Sequence, residues 1–205
     1  HTFDKCFFMP SDLTAGLEYN RDRLKDNMWG YNRHTDQTVN IYSAFLQNEW
    51  KNDRWGILIG GRLDKHNMVD NVIFSPRANL RFNPTQNINL RLSYSSGFRA
   101  PQAFDEDMHI ENVGGTVAMI ERAKDLKEEK SQSFSVSADM YHRFGAFQTN
   151  LLIEGFYTRL TDVFVLGKPY DRGDGILVKT RSNGPGAKVM GLTLEGKVAY
   201  LSILQ

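Results

Sequence analysis

Between Asn71 and Ile110 the chain alternates apolar and polar residues with period two, a pattern that a helix cannot put to use and a strand with one buried face requires. Pro76, Ala78, Leu80 and Phe82 share one face of an extended segment, and Arg77, Asn79, Arg81 and Asn83 share the other. Asn83-Pro84-Thr85-Gln86-Asn87 is rich in turn formers. The alternation then resumes as Ile88, Leu90, Leu92 and Tyr94 against Asn89, Arg91, Ser93 and Ser95. The two halves read as a β-hairpin. Three arginines are too much charge for a dry interior, so the polar face of this hairpin is wet.

The same period recurs along the chain. Leu13, Ala15, Leu17 and Tyr19 oppose Thr14, Gly16, Glu18 and Asn20, and a further strand runs from Thr38 to Lys51. Trp55, Ile57, Ile59 and Leu63 oppose Arg62 and Asp64. Phe134, Val136, Ala138 and Met140 oppose Ser133, Ser135, Ser137 and Asp139. Leu151 and Ile153 flank an opposed Glu154, and Leu192, Leu194 and Val198 oppose Thr193, Glu195 and Lys197. Nine or ten strands are expected, the first over Thr2–Met9 before a tight turn at Pro10-Ser11-Asp12. Long loops are expected near 26–36, 65–74, 98–130 and 161–175, with a short helix over Val117–Leu126. From Leu13 onward, long connections alternate with short ones, which in an antiparallel meander gathers all the long loops at one end. Outer-membrane barrels have that asymmetry, and their spanning strands need roughly 9–11 residues, longer than the usual strand of about 5–6. A soluble β-sandwich produces the same alternation, so periodicity alone leaves sandwich and barrel both open.

No window approaches the ~18 consecutive apolar residues of a membrane-spanning helix, which says nothing against a barrel whose lipid face occupies alternate positions. The net charge of +1, with lysines and arginines dispersed, gives no case for a nucleic-acid partner. The single cysteine, Cys6, excludes an intramolecular disulfide framework and a multi-cysteine zinc site. His1-Thr2-Phe3-Asp4-Lys5 has neither an initiator methionine nor an apolar leader core, and Val198–Gln205 ends within what reads as a strand. A segment cut from a longer protein is the expectation.

Ser75-Pro76-Arg77-Ala78-Asn79-Leu80, then Leu90-Arg91-Leu92-Ser93-Tyr94, then Gly97-Phe98-Arg99-Ala100-Pro101 resembles, in this order, the barrel of TonB-dependent outer-membrane receptors. The run from Phe98 to His109 is similar to the versions in Bacteroidetes-type receptors, and Asn183-Gly184 with Gly191–Glu195 also resembles the family. The resemblance implies an all-β, antiparallel up-and-down meander forming part of a large transmembrane barrel of ~22 strands around a plugged lumen. It further implies active uptake of a scarce nutrient: an iron chelate, haem, cobalamin or an oligosaccharide. The implied partners are outer-membrane lipid, a small nutrient ligand, and the TonB complex acting through a plug domain outside this chain. No enzyme, cofactor or metal is implied. A fragment of such a wall has open strand edges and is expected to self-associate.

The densest group of possible ligand-contacting residues is Arg99, Asp105, Glu106, Asp107 and His109, in the longest loop. Neither a calcium-loop glycine nor a second histidine stands at ligand spacing, so no metal is assigned there. Arg62, Arg77, Arg81 and Arg91 are expected to face the lumen, where they guide an anionic cargo, pair with carboxylates of a plug, or meet water. Tyr42, Trp50, Trp55 and Tyr94 suit interfacial girdles. No Gly-x-Ser-x-Gly, His-Glu-x-x-His or phosphate loop appears. Two other classes remain: a soluble β-sandwich binding module, and an outer-membrane barrel enzyme using Asp107 and His109.

Overall fold

The computed structural model describes residues 1–103, 107, 111–113 and 116–200. Its frame is one antiparallel sheet of nine strands in the order β1 (Thr2–Cys6), β2 (Met9–Met28), β3 (Arg33–Lys51), β4 (Trp55–His66), β5 (Ile73–Thr85), β6 (Ile88–Arg99), β9 (Glu129–Phe144), β10 (Phe147–Thr161) and β14 (Ala187–Tyr200). Each strand lies beside its predecessor in that path, so the sheet is an up-and-down meander. A smaller sheet of β7 (Glu111–Val113), β8 (Thr116–Arg122), β11 (Phe164–Leu166), β12 (Tyr170–Asp171) and β13 (Ile176–Asn183) is built within two of the connections.

The register assigns every residue a face. Tyr19, Tyr42 and Lys65 are cross-strand neighbours on one face, as are Ile57, Leu80, Leu92 and Val136. On the opposite face lies the row Gly60, Arg77, Ser95, Ser133 and Thr158. The first face is a continuous apolar surface that nothing in the described chain covers: Leu17, Leu92, Val136, Leu192 and Leu194 are 87%, 51%, 58%, 76% and 70% exposed. A soluble sandwich buries such a surface against a second sheet. Here the smaller sheet sits at one end, against the polar side, and the apolar side stays open.

Aromatic pairs mark the two borders of the apolar band. Tyr19 stacks on Tyr42 (4.9 Å between centroids) and Tyr94 meets Phe134 (4.8 Å) towards the long-loop end. Trp55 stacks on Phe82 (4.2 Å), Phe8 on Trp50 (5.8 Å) and Phe147 packs near Tyr200 (5.2 Å) at the other. Rings with an apolar body and a polar edge are suited to this boundary. The turns at the second end are Phe7–Phe8, Asn52–Arg54, Gln86–Asn87 and Gly145–Ala146, whereas the first end carries residues 29–32, 67–72, the described residues of the β6–β9 connection and 162–186.

Several sequence expectations are corrected. Residues 26–36 are not a long loop: β2 and β3 keep register from Ser11–Trp50 to Met28–Arg33 and are joined by a 3-10 turn, Trp29–Tyr31, with Asn32 left-handed at φ 48. Both faces are polar there, so hydropathy has no period to show; the ladder is carried by the backbone and by pairs such as Arg23–Asp36 (2.9 Å) and Tyr19–Asn40 (3.0 Å). Pro10-Ser11-Asp12 lies inside β2, and the turn is Phe7–Phe8, with Phe7 at φ 63. Val117–Leu126 is not a helix. Its first part is β8, paired in parallel with β13 from Val117–Ile176 to Arg122–Arg181, and that pairing outweighs the helical tendency of Ala118, Met119 and Glu121. The expected loop over 161–175 contains β11 and β12.

Replacing an exposed leucine by arginine on a water-facing surface is nearly neutral, but on a lipid-facing one it is costly. Leu92→Arg in the membrane-embedded protein is expected to lower unfolding stability by about 2–4 kcal/mol, read from reversible urea unfolding in lipid vesicles. A change within about 0.5 kcal/mol would place Leu92 in water.

Candidate functional site

Above the polar face, the long connections fold together. β8 comes from the β6–β9 connection and β13 from the β10–β14 connection, so their parallel pairing fastens one to the other. Val178 is fully buried and Met119 nearly so. Asn183, at the end of β13, exchanges hydrogen bonds with Lys127: the Lys127 N–H donates to Asn183 Oδ1 (2.8 Å) and Asn183 Nδ2 donates to the Lys127 carbonyl (3.0 Å).

Polar side chains of the large sheet anchor this cap. Buried Gln37 on β3 turns its Oε1 to the Ala103 N–H (2.9 Å) and to Arg122 Nη1 (2.7 Å), and Arg122 Nη1 also donates to the Pro101 carbonyl (3.0 Å). His66, fully buried at the end of β4, accepts the Met68 N–H at Nδ1 (3.0 Å). A backbone N–H can only donate, so the His66 proton sits on Nε2, where it is given to Gln102 Oε1 at 3.2 Å. Asp107 and Arg181 are both buried and form an ion pair of 2.8 Å, while Arg33 donates to the Asp107 carbonyl.

Between the start of β3 and β8 these elements enclose a hollow of about 390 Å³ lined by Arg33, Asp107, Met119, Glu121, Arg122 and Arg172, among others. Arg172 is engaged by Asp174 (2.5 Å) and lies near Glu121 (3.8 Å). Arg122 differs: its hydrogen bonds go to a side-chain amide and a carbonyl, and no carboxylate pairs with it among the described residues. Burial pushes its guanidinium below the ordinary value; nearby Asp107 raises it and Arg181 lowers it further. An arginine nonetheless stays charged, so Arg122 presents a held, part-buried cation to the hollow.

The residues singled out by sequence are distributed unevenly around this site. Asp107 lines the hollow, but as the ion-pair partner of Arg181. Arg99 ends β6, with its guanidinium 5.6 Å from the centre of the Phe164 ring and away from the hollow. Asp105, Glu106 and His109 lie outside the described residues. Arg62, Arg77, Arg81 and Arg91 are on the polar face. Arg62 is occupied within the wall, by Glu18 (2.8 Å), Asp64 (2.8 Å) and Ser43 (2.8 Å). Arg81 and Arg91 are directly opposed, an arrangement that like charges tolerate only with relief. Arg81 sends Nη2 to the Asn52 carbonyl (3.2 Å), and Glu49 and Glu154 line, with Arg81 and Arg91, a second and separate hollow on the polar face of the sheet. No sequence pattern marks Gln37, Arg33, Arg122, Arg172 or Arg181. The first two lie where both faces of a strand are polar, and only the fold brings the others to them.

Gln37→Ala removes the acceptor shared by Arg122 and the Ala103 N–H. It is expected to destabilise the cap by about 1–3 kcal/mol, seen as faster amide exchange in β8 and β13 with β4–β6 unchanged. Unaltered exchange in β8 would show that Gln37 is not an anchor.

A family model described as the β-barrel of TonB-dependent receptor-like proteins matches residues 2–204. No curated protein sequence matches the chain at a significant level. Among solved structures, the siderophore receptor PirA from Pseudomonas aeruginosa is similar with a TM-score of 0.77 at 18% identity, over 95% of this chain and 37% of that one. A variant of the ferric enterobactin receptor PfeA from Pseudomonas aeruginosa, in complex with enterobactin, gives 0.68 at 20% identity, over 90% and 30%. The FrpB iron transporter from Neisseria meningitidis gives 0.64 at 17% identity, over 98% and 33%. At these identities the likeness is one of fold, and the chain spans about a third of the length of those receptors. With the uncovered apolar face and the gathered long connections, the family match identifies the chain: it belongs to the TonB-dependent receptor family, as part of the transmembrane β-barrel of an outer-membrane protein.

Proposed function

We propose that the receptor containing this chain takes up an iron(III) chelate of net negative charge, and that this chain supplies wall and external loops to the entry site. The observation that carries the reading is Arg122, a cation without a carboxylate partner among the described residues, held by Gln37 and Pro101 at the edge of the external hollow. Catecholate or carboxylate oxygens wrapped around iron(III) leave excess negative charge on their outer surface. A planar guanidinium in a half-dry hollow suits them, since charge-assisted hydrogen bonds are roughly twice as strong as neutral ones. Arg33 adds positive potential, whereas Arg172 is offset by Asp174 and Glu121, and the polar-face arginines Arg77, Arg81 and Arg91 continue it below. The similar receptors named for siderophores, ferric enterobactin and iron support the same cargo class.

In this reading a plug fills the lumen, and TonB pulls on it to release the cargo inward. Cobalamin and neutral oligosaccharides are less suited to a hollow whose distinguishing group is an arginine. The family is one of transport receptors and not of enzymes, and Asp107 is spoken for by Arg181. Expressed alone, the chain has open edges at β1 and β14 and an uncovered apolar face, so it is expected to self-associate in detergent-free buffer. Light scattering showing a clean monomer would contradict that.

For the receptor, Arg122→Ala is expected to weaken binding of a ferric siderophore about tenfold or more by calorimetric titration, in line with about 1.5–3 kcal/mol for a charged hydrogen bond. Uptake of labelled iron is expected to vanish in a strain lacking TonB. Unchanged affinity in the Arg122 variant would remove this residue from the entry site.

A further inference from the structure

Glycines leave gaps in a strand surface, and this chain closes most of those in its interior strands with a neighbouring side chain, in two cases an aromatic ring. Gly16 lies under Phe45 and Gly61 under Phe74, each with ring carbon 2.5–2.6 Å from where a Cβ would stand. Gly155 is different. It lies on the apolar face in the row Leu92, Val136, Gly155, Leu192, and a Cβ there would meet only Val136, at 3.8 Å. The result is an apolar notch of about 500 Å³ walled by Leu92, Phe134, Val136, Tyr157 and Met190. Nothing in the described chain fills it.

The groups above the notch are charged. Four residues along β10, about 14 Å towards the outside, Arg159 stands on the same face. Its cross-strand neighbours are Lys188 on β14 and Gln132 on β9. Arg159 and Lys188 are exposed, and neither side chain has a carboxylate or hydrogen-bond partner among the described residues. One rung higher on β9 is Lys130, which reaches Glu128 at 3.0 Å. Apolar notch, aromatic border and cations therefore follow one another up the lipid-facing side of β9, β10 and β14.

We propose that this surface binds a phosphorylated glycolipid of the outer leaflet, with one acyl chain in the Gly155 notch and headgroup phosphate between Arg159 and Lys188. The cations are at the external border alone, which selects a lipid of the external leaflet. Their spread over adjacent strands matches a headgroup with more than one phosphate better than a phospholipid with one. Basic residues near any membrane surface attract anionic lipid in general, by about 1 kcal/mol each. The notch directly beneath them, left open where Gly61 is closed, is what makes the site specific. The proposal does not depend on the identity of the cargo.

The test is native mass spectrometry of the receptor in neutral phosphatidylcholine nanodiscs, with a diphosphorylated, multiply acylated glycolipid and with phosphatidylglycerol as separate probes. The glycolipid should remain bound and outcompete phosphatidylglycerol. The double variant Arg159→Gln with Lys188→Gln should weaken its retention about tenfold or more. Gly155→Leu, which fills the notch with compatible apolar bulk, should weaken it at unchanged melting temperature. Glycolipid retention by the charge variant equal to that of the parent, or equal retention of phosphatidylglycerol, would overturn the proposal. So would unaltered glycolipid binding by a folded Gly155→Leu protein.

Discussion

Nine strands turn a row of apolar side chains towards a side that no other part of the described chain covers, and this uncovered face is the constraint on which the architecture depends. In water, the exposed surface of Leu17, Leu92, Val136, Leu192 and Leu194 would drive collapse or association. In hydrocarbon it is satisfied, but the backbone then has no water to bond. Each N–H and C=O must find a neighbouring strand, which requires long, regular, antiparallel ladders. The uninterrupted registers of β2 with β3 and of β9 with β10 are that requirement met. The opposite face, freed from lipid, carries the Glu18, Ser43, Arg62 and Asp64 network, where Asp64 is buried and bonded and not merely solvated.

Beyond the lipid the constraint relaxes, and the chain changes character. β2 and β3 run 20 and 19 residues, well past the roughly 9–11 that a crossing needs, with charge on both sides. At that height long connections can fold on one another. The parallel β8–β13 pair, the reciprocal amide bonds of Asn183 with Lys127, and the buried His66, Gln37 and Asp107–Arg181 contacts make the cap a packed structure. A packed cap holds Arg122 in place. A cation fixed in a part-buried hollow loses less freedom on meeting an anion than one on a mobile loop.

What was legible in the sequence divides along the same border. Inside the membrane band, hydropathy has a period because two different solvents face the two sides, and the alternations Leu80–Phe82 against Arg77–Arg81 and Phe134–Met140 against Ser133–Asp139 give strand and face together. Outside it, water meets both sides. The stretch around Arg23 and Asp36 therefore reads as loop although it is ladder, and Val117–Leu126 reads as helix although β13 makes its first part a strand. The candidate site suffers for the same reason. Gln37 and Arg122 are 85 positions apart, and only the folding of one connection over β3 brings them within 2.7 Å. Asp107 was conspicuous through its acidic neighbours, yet its place in the fold is beside Arg181.

The central claim is that alternate residues of one strand meet lipid and water. Single cysteines placed in turn from Phe134 to Met140 of β9, in a receptor whose Cys6 is replaced by serine, and labelled with an environment-sensitive fluorophore in native outer membranes, test it most directly. The account predicts that labels at 134, 136, 138 and 140 are quenched by a lipid-dissolved quencher, and labels at 135, 137 and 139 by an aqueous one. Equal aqueous quenching at all seven positions would contradict it.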